Sequence, residues 1–279
     1  MQREPIVAGM FYPAEPDRCA AERAHYLEDA RKAVPEEARF AGLVPHAGWS
    51  YSAPTAAKTF TALARSGSPA SLVILGAVHT WGVTRAAIYP RGSWATPLGS
   101  VQVDQALAEE IVRQAEGLVV DNPRAQAQEH SIEVQLPFVR HLFPEAAIVP
   151  LMVPPTDDAP AVGEAVARAV QRSGARAYIL GSSDLTHYGP RYGFAPRGTG
   201  PGALAWAREN DRRLLDAVVQ MRAHEIVERA VADRSACGAG AVAAMVSGAQ
   251  GVGATRGGLL EQTTSYDVHP VGSRADFGG

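Results

Sequence analysis

Residues 71–78 read SLVILGAV, and residues 176–182 read RAYILGS. Each stretch is short and largely apolar, without the alternation expected of a strand that faces water on one side. Continuous apolar runs of this length are typical of strands in a sheet that helices cover on both faces. These two stretches therefore predict a layered α/β fold.

Short strands and amphipathic helices alternate outward from these two stretches. We predict further strands at 40–45, 85–89, 100–103, 146–153 and 258–266. Helices are expected at 15–34, 53–65, 104–116, 131–143, 159–173 and 238–247, with one or two more within 203–232. Residues 184–202 form a long loop rich in Gly, Pro and Arg, and loops of this length are usually functional lids or disordered. No repeat or linker divides the chain, so we expect a single domain over residues 1–279.

The composition is that of an ordinary globular protein, with 46 % hydrophobic and 20 % charged residues and a formal net charge of −3. No block of like charge stands out, which argues against nucleic acid or an anionic membrane as the main partner. The apolar runs are too short for a membrane span of about 20 residues, and the first residues lack an apolar signal core. We therefore expect a cytoplasmic protein, with Cys19 and Cys237 both reduced.

Three histidines follow buried strands at their C-terminal ends: His46 in GLVPHAGWSYS, His79 in VILGAVHTWG and His187 in ILGSSDLTHYG. Loops at this edge of an open α/β sheet are where ligands bind. One such histidine would usually be a hydrogen-bonded structural residue, but three in matching positions indicate a shared site. Because imidazole is the commonest metal ligand in proteins, the pattern favours a metal site.

Further candidate ligands are Asp184, Glu129, His130 and Cys237. Two histidines and one anionic group leave coordination positions open, as in non-haem Fe(II) oxygenases and hydrolytic zinc sites. The chain has neither an HExxH nor a CxxC motif, so the ligands would come from distant segments.

Cys237, in SACGAGAVAA, has two interpretations. It is either a buried residue in a seam of small side chains, or a thiolate whose pKa is lowered by the N-terminus of the following helix. In the second case, Gly238 and Gly240 would let the backbone and a metal approach closely.

The pair Glu129-His130, in QAQEHSIEVQLPF, either caps a helix or places an acid/base pair at the edge of a pocket. Several aromatic residues flank the histidine-bearing loops, either for packing or to line a pocket for a flat substrate. They are Trp49, Tyr51, Trp81, Tyr188 and Tyr192.

Taken together, these segments resemble the Memo family, which includes protein B of the AmmeMemoRadiSam system. The resemblance runs along nearly the whole chain. It is carried, in order, by REPIVAGMFYP, VPHAGWSYS, VILGAVHTWG, WATPLGSVQVD, EHSIEVQLPF, GSSDLTHYG and ACG. It implies a single αβα domain with a central mixed sheet, like that of class III extradiol dioxygenases.

The resemblance also implies a metal site in which His46, His79 and Cys237 are the ligands, the cysteine standing where the dioxygenases have a glutamate. Asp184 and His187 would lie beside the metal, with Glu129 and His130 close by. The chain departs from the usual family pattern at Ala77-Val78, Gln126, Trp49 and Ala53. These changes alter the polarity of the pocket and leave the metal triad intact.

The first functional hypothesis is a mononuclear non-haem iron oxidoreductase, dioxygenase-like, that acts on a small phenolic or other aromatic substrate with O2. His187 would move a proton, and Asp184 would orient His187 or a bound water. A thiolate ligand could favour copper over iron, and zinc would suit a hydrolase. The alternative is a non-catalytic copper-binding, iron-binding or partner-binding protein. Companion radical-SAM or AMMECR1-like proteins are expected only by family analogy.

Overall fold

The computed structural model describes residues 1–37, 39–270 and 277–278. Eleven strands are found in these residues. They are β1 (Gln2–Arg3), β2 (Ala41–Val44), β3 (Ser71–Gly76), β4 (Ala86–Ile88), β5 (Ser93–Trp94), β6 (Val101–Gln102), β7 (Val119–Asp121), β8 (Ala147–Met152), β9 (Ala177–Ser182), β10 (His187–Tyr188) and β11 (Phe277–Gly278). Six of them form the central sheet, in the order β2-β9-β3-β8-β4-β7. Neighbouring strands are parallel except for β4 and β8, which confirms the predicted mixed sheet.

Helices cover both faces of this sheet. They are α1 (Pro16–Ala33), α2 (Trp49–Ala64), α3 (Gln105–Gln114), α4 (Leu136–Leu142), α5 (Ala159–Ser173), α6 (Pro201–Val219), α7 (Ala223–Asp233), α8 (Ala239–Gly251) and α9 (Ser265–Val268). Alternate residues of β3 serve the two faces: Val73 and Leu75 pack with α3, α5 and α8, while Leu72 and Ile74 pack with α1, α2 and α4. The continuous apolar run in β3 therefore reflects two cores, and the αβα architecture is confirmed.

Small residues bring α8 close to α5. A Cβ atom added at Gly163 of α5 would lie 2.1 Å from the carbonyl oxygen of Ala244 in α8. All residues of α8 from Ala239 to Ala249 are buried. The small-residue run after Cys237 therefore packs α8 tightly against α5, with the start of α8 next to the carboxyl end of the sheet.

Two segments differ from the sequence-based prediction. The predicted strand at 258–266 is wrong: the backbone there is irregular up to Thr264, whose side chain caps the short helix α9. Just before this segment Gly257 N donates to Val219 O, and within it the Glu261 carboxylate accepts from Thr55 and Lys58, so these contacts tie the segment to α6 and α2. Helix α2 begins at Trp49, four residues before the expected start, whereas residues 203–232, expected to hold one or two helices, contain two.

The predicted loop at 184–202 is partly ordered. It contains β10, which pairs with β11, and a 3-10 turn at Pro190–Tyr192. None of the helices in the described part of the chain is both long enough and apolar enough to cross a bilayer.

Candidate metal centre

Adjacent parallel strands bring the three strand-end segments together. β9 lies between β2 and β3, so the loops that follow these strands meet at the carboxyl edge of the sheet. The ring centroids of His46 and His79 are 5.3 Å apart, and those of His46 and His130 are 5.5 Å apart. The rings of His79 and His130 stack at 4.8 Å. His187 lies three residues after Asp184, and its Nε2 is 3.8 Å from Asp184 Oδ2.

His46 is buried, and its hydrogen bonds select one tautomer. Its Nδ1 lies 3.0 Å from Ser182 Oγ, and that hydroxyl donates its own proton to Ser131 O. Ser182 therefore accepts from Nδ1–H, which leaves the lone pair of His46 on Nε2. Burial lowers the pKa of His46 to about 4. At neutral pH the ring is thus an uncharged donor with Nε2 available to a ligand.

Glu129 orients His79 in the same way. The Nδ1 of His79 lies 3.0 Å from Glu129 Oε1, so Nδ1–H donates to the carboxylate and Nε2 is the nitrogen left to bind a metal. Burial lowers the pKa of His79, but the hydrogen bond to Glu129 and the carboxylate charge outweigh it and raise the net pKa, so a metal ion would displace a proton from Nε2. Glu129 is wholly buried and also accepts from the backbone N–H groups of His79, His130 and Ser131. Burial raises the pKa of Glu129, but the bonds to His79 and the backbone outweigh it and hold the pKa at about 2. Glu129 thus stands behind His79 as an ionised acceptor.

Asp184 is the second buried carboxylate. Its Oδ1 accepts from His46 N at 2.6 Å and from Ala47 N at 3.1 Å, which ties the loop after β9 to the loop after β2. Its Oδ2 lies 4.0 Å from His46 Nε2 and 3.8 Å from His187 Nε2. Burial raises the pKa of Asp184, but the two imidazoles and the His46 backbone N–H outweigh it, and the net pKa falls well below the ordinary value. Asp184 is therefore ionised at neutral pH.

Cys237 contacts both of these groups. Its Sγ lies 3.2 Å from His46 Nε2, and it accepts from Asp184 N at 3.3 Å. Burial and the negative charge of Asp184 raise the pKa of the thiol. This is opposite to the lowering expected from the N-terminus of α8, because the dipole of that helix is outweighed by desolvation and a nearby carboxylate. In the metal-free protein Cys237 is therefore a thiol, and a bound cation would favour the thiolate.

The glycines beside Cys237 serve packing. A Cβ added at Gly238 would lie 2.7 Å from Ser182 O, and one added at Gly240 would lie 2.2 Å from Pro154 O. Both glycines let the start of α8 approach the ends of β8 and β9, which places Cys237 beside His46.

Two groups of three donors share His46. One comprises His46, His79 and His130, and the other comprises His46, Asp184 and Cys237; within each, the donor atoms lie within 4.8 Å of one another. Ligands placed about 2.0–2.3 Å from one metal ion lie at most about 4.6 Å apart, so each group could hold a single ion. His79 and Cys237, joined in one triad by the family resemblance, belong to different groups. The donor set of nitrogen, oxygen and sulfur fits a transition metal.

The five expected pocket aromatics have separate environments. Trp49 is buried in the core, where its Nε1 donates to Val134 O, and Tyr188 is buried against Ala203 and Ala207. Trp81 is fully exposed to solvent. Of the five, Tyr51 and Tyr192 line the cavity beside the histidines. Trp49 and Tyr188 therefore stay away from the cavity because their rings are buried among hydrophobic neighbours.

A cavity of about 1200 Å³ opens at the histidines. It is lined by His46, His79, His130, Asp184 and His187, and it continues along β2 to residues 253–266. Tyr192, whose ring centroid is 5.0 Å from that of His187, also lines it. The donor groups thus have access to a space large enough for an organic molecule.

Residues that the sequence analysis did not single out support the site. Ser182 sets the tautomer of His46. Arg3 donates to Glu129 O at 2.6 Å and pairs with buried Glu133 at 2.8 Å, and its guanidinium lies 4.1 Å from the Trp94 ring centroid. The sequence does carry a signal for this ion pair, since Arg3 and Glu133 are charged residues within the motifs REPIVAGMFYP and EHSIEVQLPF. The two motifs therefore contact each other through one buried hydrogen-bond network that includes the backbone of Glu129.

The departures from the family pattern are also structural. Gln126 is buried and donates to Ala87 O and Pro150 O, both at 3.0 Å. Ala53 is buried in α2, and Val78 packs against the cluster of Ala87, Ala125 and Met152. These residues hold the scaffold and contribute no donor to the centre.

An αβα fold that gathers imidazole, carboxylate and thiol groups at the carboxyl edge of its sheet defines a candidate metal-binding protein. The family profile described as Memo-like protein matches residues 3–275. The chain belongs to the Memo family.

Curated relatives agree along almost the full length. A MEMO1 family protein of Methanopyrus kandleri is 37 % identical over 281 residues, which cover 96 % of this chain and 94 % of that protein. A MEMO1 family protein of Pyrococcus abyssi is 36 % identical over 279 residues, with the same coverage of both chains. One from Methanothermobacter thermautotrophicus is 33 % identical over 290 residues, covering all of this chain and 98 % of the relative.

Proposed function

We propose that the chain is a metal-dependent oxidoreductase of the mononuclear non-haem iron type, acting with O2 on a small phenolic or other aromatic substrate. The observation that carries the proposal is the convergence of donors on His46 in a cavity that also holds a separate proton-transfer group. Bound Fe(II) would supply the redox chemistry that activation of O2 requires. Copper is the next candidate because of the thiol, and zinc follows.

Hydrogen bonds within the protein orient two imidazoles for metal binding. His46 and His79 each use Nδ1–H in a hydrogen bond, to Ser182 and to Glu129, and so present Nε2 as the donor. Asp184 is ionised and Cys237 lies within contact of His46. His46, His79 and Cys237 remain the proposed ligands, with Asp184 and His130 as the further donors within reach.

His187 is the proposed acid/base group. It is partly exposed and lines the cavity, and the nearest carboxylate oxygen, Asp184 Oδ2, is 3.8 Å from its Nε2. A phenol bound in the cavity would give its proton to His187, and the charge of Asp184 would stabilise the resulting imidazolium. The rings of Tyr51 and Tyr192 line the same cavity and offer surfaces for an aromatic substrate.

The second candidate is a non-catalytic metal-binding protein that holds copper. The observation that favours it is the direct contact of Cys237 Sγ with His46 Nε2, since soft sulfur and imidazole donors suit Cu(I). The two candidates differ in turnover and in metal preference.

The test is anaerobic purification with elemental analysis, followed by reconstitution with Fe(II) and by oxygen-uptake assays on a panel of phenols. Stoichiometric iron with substrate-dependent oxygen uptake would support the oxidoreductase. Copper retention without uptake on any phenol would favour the second candidate.

Two variants separate ligand from acid/base roles. Cys237→Ser should lower metal occupancy sharply, whereas Cys19→Ala, at the other cysteine, should leave it unchanged. Unchanged occupancy in Cys237→Ser would refute the ligand role of the thiol. His187→Ala should keep the metal but lose turnover, and loss of metal there would make His187 a ligand instead.

A further inference from the structure

A second cluster of nitrogen donors lies outside the histidine cavity, in a cleft of about 500 Å³ between α1 and α4. The cleft is lined by Arg23 of α1 and by Arg140 and His141 of α4, and the loop at Leu98 closes one side. None of these residues lines the cavity of the candidate metal centre. The volume falls within the range of about 300–1,000 Å³ that is usual for small-molecule sites.

Arg23 occupies a position where an apolar residue is expected. The buried residues of α1 are Cys19, Arg23, Leu27 and Ala30, spaced as the core-facing stripe of a helix. Arg23 is only 8 % exposed, yet it makes no hydrogen bond or ion pair with any residue in the described part of the chain. Its Nε is wholly enclosed without an acceptor. A buried N–H without an acceptor is costly, and an anion bound beside the guanidinium in the cleft would offset that cost.

The neighbouring groups repeat the same charge. Arg140 donates from Nη1 to Pro144 O at 3.1 Å, while its Nε is buried without an acceptor among the described residues. A Cβ added at Gly99 would lie 3.2 Å from that Nε, so the glycine makes room for the guanidinium. His141 is close enough to Arg23 for the arginine charge to lower its pKa, after burial. The acidic residue on the cleft is Asp17, which is exposed at its rim.

We propose that this cleft binds a phosphate group carried by a small molecule, with Arg23, Arg140 and His141 as its ligands. Two guanidinium forks and an imidazole match the several acceptor oxygens of a phosphate dianion better than they match a single carboxylate. The cleft is larger than phosphate itself, so the remainder of the molecule would lie along α1 towards Asp17.

The test measures binding of inorganic phosphate, glycerol 3-phosphate and acetate to the full-length protein by titration calorimetry, at constant ionic strength in chloride. Wild-type protein should bind both phosphates saturably and more tightly than acetate. Arg23→Met and Arg140→Met should each weaken phosphate binding by about tenfold or more, since each removes charge-assisted hydrogen bonds. Arg18→Met, on α1 but outside the cleft, is the matched control and should bind as the wild type does.

Stability distinguishes a binding role from a structural one. Methionine matches the length of the arginine stem without its charge, so Arg23→Met should unfold at the same or a higher temperature in phosphate-free buffer. Phosphate should raise the unfolding temperature of the wild type and not that of Arg23→Met. Equal phosphate binding by the wild type and Arg23→Met would overturn the proposal. Failure of Arg23→Met to fold would do so as well, because it would show that the guanidinium stabilises the core without an anion.

Discussion

Replacement of Glu129 by glutamine tests whether this carboxylate orients His79. Glutamine has the same shape but only one acceptor oxygen. If that oxygen takes the place of Oε1, it keeps the bonds from His79 Nδ1, His130 N and Ser131 N. The amide nitrogen then faces His79 N, which loses the acceptor it has at 2.8 Å in Glu129 Oε2.

The magnitude follows from the pKa of Glu129, which lies at about 2 against an ordinary value of 4.5. A tenfold change in a protonation equilibrium corresponds to about 1.4 kcal/mol, so ionised Glu129 stabilises the folded metal-free chain by about 3 kcal/mol, shared with His79. Because the folded pKa is depressed, this stability is present above pH 4.5 and is lost as the pH falls towards 2. Glu129→Gln should therefore lower the free energy of unfolding by about 3 kcal/mol at pH 7.

The assay is urea unfolding of the metal-free protein at pH 7, pH 5 and pH 3, with Glu109→Gln on the exposed side of α3 as the control. The difference between wild type and Glu129→Gln should shrink to about half between pH 5 and pH 3. Metal affinity should also fall, by about 10- to 100-fold, because His79 loses its orienting partner. A difference below about 0.5 kcal/mol at pH 7, or one independent of pH, would refute the reasoning.

Three further predictions concern single residues. Burial holds the pKa of His46 at about 4 against an ordinary 6.5, so the metal-free protein should lose about 3 kcal/mol of stability as the pH falls from 6.5 to 4, and His46→Gln should lack that loss in urea titrations. Burial raises the pKa of Asp211 from 3.8 to about 6, so the wild type loses stability as the pH rises through this window. Asp211→Asn, compared with it by thermal unfolding, should gain stability at pH 8 and little at pH 4. Gly163→Ala should lower the free energy of unfolding by about 1–3 kcal/mol through overpacking against α8, while Gly202→Ala, with open space around it, should be neutral or slightly stabilising.

Regular elements were predicted best where one pattern acts over a whole segment. Helix α5 was expected at 159–173 and has those bounds, since nine buried residues mark its core-facing side. The segment at 258–266 carries apolar and threonine residues typical of a strand, but it pairs with no strand in the described part of the chain. Gly257 N, just before it, donates instead to Val219 O, and Thr264 forms the cap of α9. Propensity alone did not reveal this because the partners lie elsewhere in the chain.

The site was predictable in its position and less so in its contacts. The strand-end histidines have a local signal, because a histidine directly after a buried strand lies at the carboxyl edge of a parallel sheet. The aromatic residues have no such signal. Trp49 is the first residue of α2 and faces the core, whereas Trp81 lies in an exposed turn. Tertiary packing decides this difference in burial, and the local sequence does not show it.

Apolar periodicity along the chain was sufficient to predict the layered α/β architecture. The pattern of neighbouring residues shows whether a helix buries one face or a strand buries both. The order of the strands is not written there. The adjacency of β2 and β9 brings Asp184 to His46 across 138 residues, and the packing of the segment before α4 against the end of β3 brings Glu129 to His79 across 50. These long-range hydrogen bonds set the tautomers and charges of the centre. The same tertiary packing buries Arg23 with no counterion among the described residues. Neither outcome can be read from neighbouring residues, because the partners are distant in sequence and close only in space.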